Sequence, residues 1–150
     1  MTPEIFTIGY ARATQDMLVE TLRAARIEVL ADIRAIANSR RPGFSKTSLS
    51  AAVEAAGMQY VHIRELGTPK EGREAARRGD RETLRDIYTE QLELPEAAAR
   101  MLELQQLAMA RRTCLLCYCE ETAKCHRGVL CERAFARWQR KDLSPMPLGA

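Results

Sequence analysis

The sequence predicts an α/β fold, a single domain with a mostly parallel sheet of about four or five strands covered by helices on both faces. Two observations carry this. Short apolar runs alternate along the chain with longer stretches of helical periodicity, so that successive strands are joined by crossovers and lie parallel. The apolar runs are also near-continuous, as expected of strands buried on both sides.

The first strand, near 5–8 in "IFTIGY", ends at Gly9, where a tight turn is easy. Residues 14–26 follow as a helix, with Thr14 as N-cap and Met17, Leu18, Leu22 and Ala25 on one stripe. "IEVLADI" (27–33) supplies the second strand, near 28–33. The stretch "RAIANSRRPGFS" is a loop holding Pro42 and Gly43, and a helix starts near Ser45 and stops at Gly57. "MQYVHI" (58–63) carries the third strand, near 59–63. Leu66 to Arg81, rich in glycine and charge, reads as a loop or a poorly fixed helix. Helices are expected near 82–92 and 95–111, the second opened by Pro95. "TCLLCYCE" carries the last strand, near 113–119, and residues 126–141 the last helix. The domain is expected to span 1–143, with 144–150 a frayed tail.

At 150 residues the chain can bury a core without staples, and 46% hydrophobic with 29% charged residues fits a globular protein. No apolar run is long enough to span a bilayer, and "MTPEIFTIGY" has no signal-peptide pattern, so a cytoplasmic protein without membrane contact is expected. The five cysteines crowd into 114–131, which suits reduced thiols better than a disulfide framework. A net charge of +3 is low for a duplex binder, and 5% aromatic residues offer few platforms for single strands. Charge is concentrated locally instead: Arg34 to Lys46 contains four basic residues and no acidic one.

In parallel sheets ligands bind outside the C-terminal strand ends, which brings Tyr10, Arg34 and the 119–127 loop to one rim. Asp32 and Arg34 close the second strand, where a carboxylate and a guanidinium orient each other or a ligand. Arg40 and Lys46 lie on a loop that opens a helix, a natural phosphate cradle. His62, near the end of the third strand, is a candidate for acid–base work. Phe44 reads as a loop anchor, and "REAARRGDRETLRD" (73–86) as a solvated charged face.

The stretch "LLCYCEETAKCHRG" (115–128) admits three chemistries. Cys114 and Cys117 have C-x-x-C spacing, but in a strand residues three apart point to opposite faces and cannot share a metal. Cys117 and Cys119 share a face, so a site with Cys125 and His126 is the zinc alternative; no metal and no cofactor are expected. A Cys119–Cys125 disulfide is the redox alternative. The favoured reading places Cys125 at the start of the last helix beside Lys124, His126 and Arg127, where backbone N–H groups favour an anion or a reactive Cys125 thiolate. Cys114, Cys117 and Cys131 read as buried small hydrophobes.

With these stretches in view, the chain resembles the DUF488 family, a prokaryotic domain of unknown function. The resemblance runs through "TIGYARAT", "ADIRAIANSRRPGFSK", "GMQYVHIRELG" and "LLCYCEETAKCHRG". It singles out Gly9, Asp32, Arg34, Ser39, Arg40, Phe44, Lys46, His62, Leu66, Gly67, Cys117, Cys125, His126 and Arg127. The chain departs from the family pattern at Ala11 and Ala37, at Cys119 where Glu is usual, and at Glu121-Thr122 where Asp-Pro is usual. The resemblance implies no particular reaction.

The leading expectation is an enzyme acting on an anionic small molecule, phosphate-bearing or nucleotide-like. Cys125, His62 and His126 are its candidate catalytic groups, and Asp32, Arg34, Ser39, Arg40, Lys46 and Arg127 its candidate substrate-binding groups. Arg34, Arg40, His62, Cys125 and Arg127 are expected to meet in one pocket. The alternatives are a nucleic-acid-associated module tied to repair or modification, and a thiol redox or metal-sensing protein.

Overall fold

The computed structural model describes residues 2–122 and 125–146. Its elements in chain order are β1 (Glu4–Gly9), α1 (Gln15–Ala24), β2 (Val29–Asp32), α2 (Lys46–Ala55), β3 (Gln59–His62), a 3-10 turn (Arg64–Leu66), α3 (Lys70–Arg77), α4 (Arg81–Glu93), α5 (Pro95–Ala110), β4 (Thr113–Cys117), α6 (His126–Ala134) and β5 (Gln139–Leu143). The strands form one parallel sheet in the order β3-β2-β4-β1-β5. Among the described residues no helix is long and apolar enough to cross a membrane.

Local signals explain most boundaries. The Thr14 side chain accepts from the Met17 N–H at 3.1 Å and caps α1, and Pro95 occupies the first turn of α5, where its missing N–H costs nothing. Neighbouring residues of β4 face opposite layers, as a pleated strand requires. Leu115 packs with Ile33, Tyr88, Leu104 and Leu130 under α4–α6, whereas Leu116 packs with Phe6, Leu18, Leu30 and Leu49 under α1 and α2. Helices therefore cover both faces.

Two segments differ from the sequence expectation. Residues 70–77 form a full helix although they show almost no apolar stripe; only Gly72 and Ala75 of α3 are buried. The last helix stops at Ala134, and 139–143 leaves it to become the edge strand β5. "QRK" (139–141) reads as helix because Gln, Arg and Lys are good helix formers, yet charged side chains are also what an exposed sheet edge carries. The Lys141 amino group lies 2.6 Å from the Glu4 carboxylate of β1 and ties the edge down. Of the tail, the Met146 N–H donates to Thr21 Oγ1 at 2.9 Å, and 147–150 lies outside the described residues, as does Lys124.

Strand order decides where a ligand can sit. The chain leaves β2 toward β3 and leaves β4 toward β5, on opposite sides, so a crevice opens between the C-terminal ends of β2 and β4. The register puts His62, Asp32 and Leu116 in one row there, with Gly9 paired to Cys117 one step further on.

Candidate functional site

A cavity of about 470 Å³ occupies this crevice. Cys117, Cys125 and His126 line it from the end of β4 and the start of α6, Arg34, Ala35, Ile36 and Asn38 from the segment after β2, and Thr68, Arg73 and Arg77 from around α3. The sulfurs of Cys117 and Cys125 lie 2.6 Å apart, and the Cys125 sulfur is 3.5 Å from His126 Nδ1. His126 Nε2 is 2.8 Å from the Ile33 carbonyl. A carbonyl only accepts, so Nε2 carries the proton and Nδ1 presents its lone pair to Cys125. The Tyr88 ring packs nearly perpendicular to the imidazole, with ring centroids 5.1 Å apart.

Burial governs the acidity of these groups. Loss of water pulls His126 down to about 4, against the Ile33 carbonyl, so the ring is neutral near pH 7. Burial and then the contact with Cys117 push the Cys125 thiol up. This reverses the sequence expectation that a helix start favours the Cys125 thiolate: with the residue 4% exposed, desolvation outweighs the backbone N–H of Arg127.

One wall is built on a buried ion pair. Asp32 is fully buried and accepts from Arg34 Nε at 2.8 Å and Nη2 at 2.6 Å, from the Arg34 backbone N–H at 3.1 Å, and from the Tyr60 hydroxyl. Arg34 Nη1 donates to the Phe44 carbonyl at 2.6 Å and the Tyr10 hydroxyl at 3.2 Å. Burial works against the Arg34 charge, but the Asp32 carboxylate more than offsets it and the guanidinium is held firmly protonated. Burial, reinforced by Asp32, likewise keeps the Tyr60 phenol protonated and donating.

Of the catalytic and substrate-binding candidates named from the sequence, Arg34, Cys125 and His126 line the cavity, and Asp32 stands directly behind Arg34. Ser39, Arg40, Lys46, His62 and Arg127 do not line it. The Ser39 hydroxyl accepts from the Arg41 N–H at 3.2 Å, a local turn contact, while Arg40 and Lys46 are exposed to solvent. His62 Nε2 sits 2.7 Å from the Arg34 carbonyl and ties β3 to the β2 rim. Arg127 is fully buried; its Nη2 donates to the Glu120 carbonyl at 3.1 Å, and its Nε and Nη1 have no partner among the described residues. The five-residue convergence is therefore limited to Arg34 and Cys125. Phe44 is an anchor, completely buried and stacked on Tyr10 at 4.5 Å.

Not every lining residue carries a site signal of its own in the sequence. Arg73 and Arg77, which read as part of a solvated face, both reach the cavity. Their i, i+4 spacing is the signal that puts them on one side of a helix. Cys117 is both core and cavity, because the last residue of a strand faces the layer below and the open rim beyond. Close backbone approach shapes the rim at two glycines. A Cβ on Gly9 would meet the Cys119 carbonyl oxygen at 1.8 Å, and one on Gly67 would meet the Ala35 nitrogen at 2.2 Å.

The profile of the domain of unknown function DUF488 matches residues 14–134. The chain belongs to the DUF488 family. No curated protein and no solved structure matches it. In this DUF488 protein the motif residues Arg34, Cys117, Cys125 and His126 line one cavity, with Asp32 behind them. Cys119, at the position where the family pattern has Glu, also lines it. The neighbouring Glu120 carboxylate does not substitute for that Glu: it pairs with Arg12 at 3.4 Å and is no part of the cavity lining.

Proposed function

We propose that this DUF488 protein is an enzyme acting on an anionic small molecule, phosphate-bearing or nucleotide-like, held in the cavity between β2 and β4. The observation that carries this reading is the charge of the lining: Arg34, Arg73 and Arg77 contribute to it, and no carboxylate does among the described residues. Four of the five N–H groups of Arg34 are already committed to Asp32, Tyr10 and Phe44. Arg34 is neutralised by Asp32 and has little left to give a ligand, so Arg73 and Arg77 take the anion. Arg73 is positioned by donating from Nη1 to the Thr68 carbonyl at 2.9 Å. The exposed side chains of Tyr118 and Ile36 form an apolar lip suited to a flat organic portion of the ligand. Cys117, Cys125 and His126 form the reacting end. A concave site of this size suits a small molecule better than a nucleic-acid backbone, which would favour an extended basic groove.

Isothermal titration of the chelator-treated protein with inorganic phosphate and nucleoside monophosphates tests this reading. Saturable binding of one molecule per chain is expected. A charge-assisted hydrogen bond contributes about 1.5–3 kcal/mol, so Arg73→Ala and Arg77→Ala should each weaken binding by about tenfold or more. Arg40→Ala, on the exposed loop, should leave affinity unchanged. Absence of saturable binding, or equal losses from Arg40→Ala and Arg77→Ala, would refute the assignment.

A further inference from the structure

We infer that Cys117, Cys125 and His126 form a zinc site with a fourth coordination position open to the cavity. This departs from the sequence expectation of no metal, and it does not rest on the anion reading.

The first observation is convergence. Three ligand atoms from two separate elements lie within 4.8 Å of one another. Around a tetrahedral zinc with Zn–S of about 2.3 Å and Zn–N of about 2.0–2.1 Å, sulfur–sulfur edges are about 3.8 Å and sulfur–nitrogen edges about 3.6 Å. The Cys125–His126 separation of 3.5 Å already has the second length. From 2.6 Å, Cys117 and Cys125 must part by about 1.2 Å, a movement shared between turns about both Cα–Cβ bonds. The second observation is orientation. The Ile33 carbonyl takes the His126 Nε2 proton and leaves Nδ1 bare on the thiol side, the outer-shell arrangement that metal-bound histidines use.

The donor set identifies the ion. Two sulfurs and a neutral imidazole are borderline-soft ligands that suit zinc, whereas magnesium and calcium require oxygen. Binding deprotonates the two thiols and releases both protons to solvent. Three protein ligands with the fourth position turned toward a cavity is the arrangement of reactive rather than structural zinc. Cys114 takes no part, because it faces the opposite layer of the sheet.

The test uses the full chain, reduced and stripped with a chelator, then titrated with Zn2+ against a chromophoric competitor in phosphate-free buffer. One zinc per chain is expected. Cys117→Ser, Cys125→Ser and His126→Ala should each lower affinity by more than about 100-fold, beyond the usual cost of losing an outer-shell partner. Cys131→Ser should bind as the wild type does, and Cys119→Ser should lose far less affinity than Cys117→Ser. Because the ligand variants can also weaken the fold, the wild-type protein is loaded with Co2+ in parallel. Thiolate-to-cobalt charge-transfer absorption, displaced by Zn2+, reports sulfur ligation without any substitution. No stoichiometric uptake, uptake without that absorption, or a Cys117–Cys125 disulfide that persists in reductant would overturn the site. A Cys119→Ser loss as large as that of Cys117→Ser would overturn the open position. None of these readouts depends on anion binding, so the two readings fail separately.

Discussion

Asp32→Ala should cost about 3–5 kcal/mol, the loss seen when one member of a buried, hydrogen-bonded ion pair is removed. The substitution leaves a guanidinium that is 6% exposed without its carboxylate, and it removes the acceptor of the Tyr60 hydroxyl. Total stabilities of single domains are about 5–15 kcal/mol, so a large share of the fold depends on this one side chain. Urea denaturation measures it through a lower midpoint at unchanged slope. The double variant Asp32→Leu/Arg34→Met, which removes both charges and keeps volume, should recover part of the loss. A single-variant cost below about 1 kcal/mol, typical of a surface pair, would show that the pair is not closed to water.

Gly9→Ala should be nearly as damaging, for a steric reason. The added methyl would lie 1.8 Å from the Cys119 carbonyl oxygen and 2.5 Å from its carbon, and both are backbone atoms that no rotamer change can move. Overpacking typically costs about 1–3 kcal/mol, and a clash against backbone belongs at or above the top of that range. The displaced segment would carry Cys117 and Cys119 with it, so zinc affinity should fall together with stability. Gly57→Ala separates sterics from conformation. Gly57 has φ +87°, and a methyl added there would meet nothing within 4 Å, so its cost should be about 1 kcal/mol with zinc binding intact. Equal effects from the two substitutions would exclude the close approach as the cause.

Local chemistry made much of the fold legible. β1 to β4 show as apolar runs, and α1 and α5 are marked at their starts by Thr14 and Pro95. What stayed hidden lacked an apolar signature. α3 buries only Gly72 and Ala75, and β5 carries charges because it lies at an edge. The site was legible to the same extent. Strand ends brought Arg34, Cys125 and His126 to one rim, but pairing across the sheet decides depth, and a sequence does not print it. Of two adjacent arginines, Arg40 points to solvent while Arg41 sits over the Phe44 ring at 5.9 Å, a choice fixed by loop closure rather than residue type. Arg73 and Arg77 were invisible as ligand groups because the helix that presents them has no apolar stripe to reveal it.

The position of β1 in the sheet has a consequence for the order of folding. Phe6 pairs with Cys114 and Ile5 with Arg140, so β1 finds both its strand partners far along the sequence from itself. Contacts so distant in sequence form slowly, because a long loop must close before any of them stabilises the fold. β2 and β3, joined by α2, can pair early, but the β4–β1–β5 side must wait until β4 and β5 have been made. Cys117 and Gly9 belong to that late half. The cavity, which needs the rims of both halves, is therefore among the last parts of the molecule to take shape.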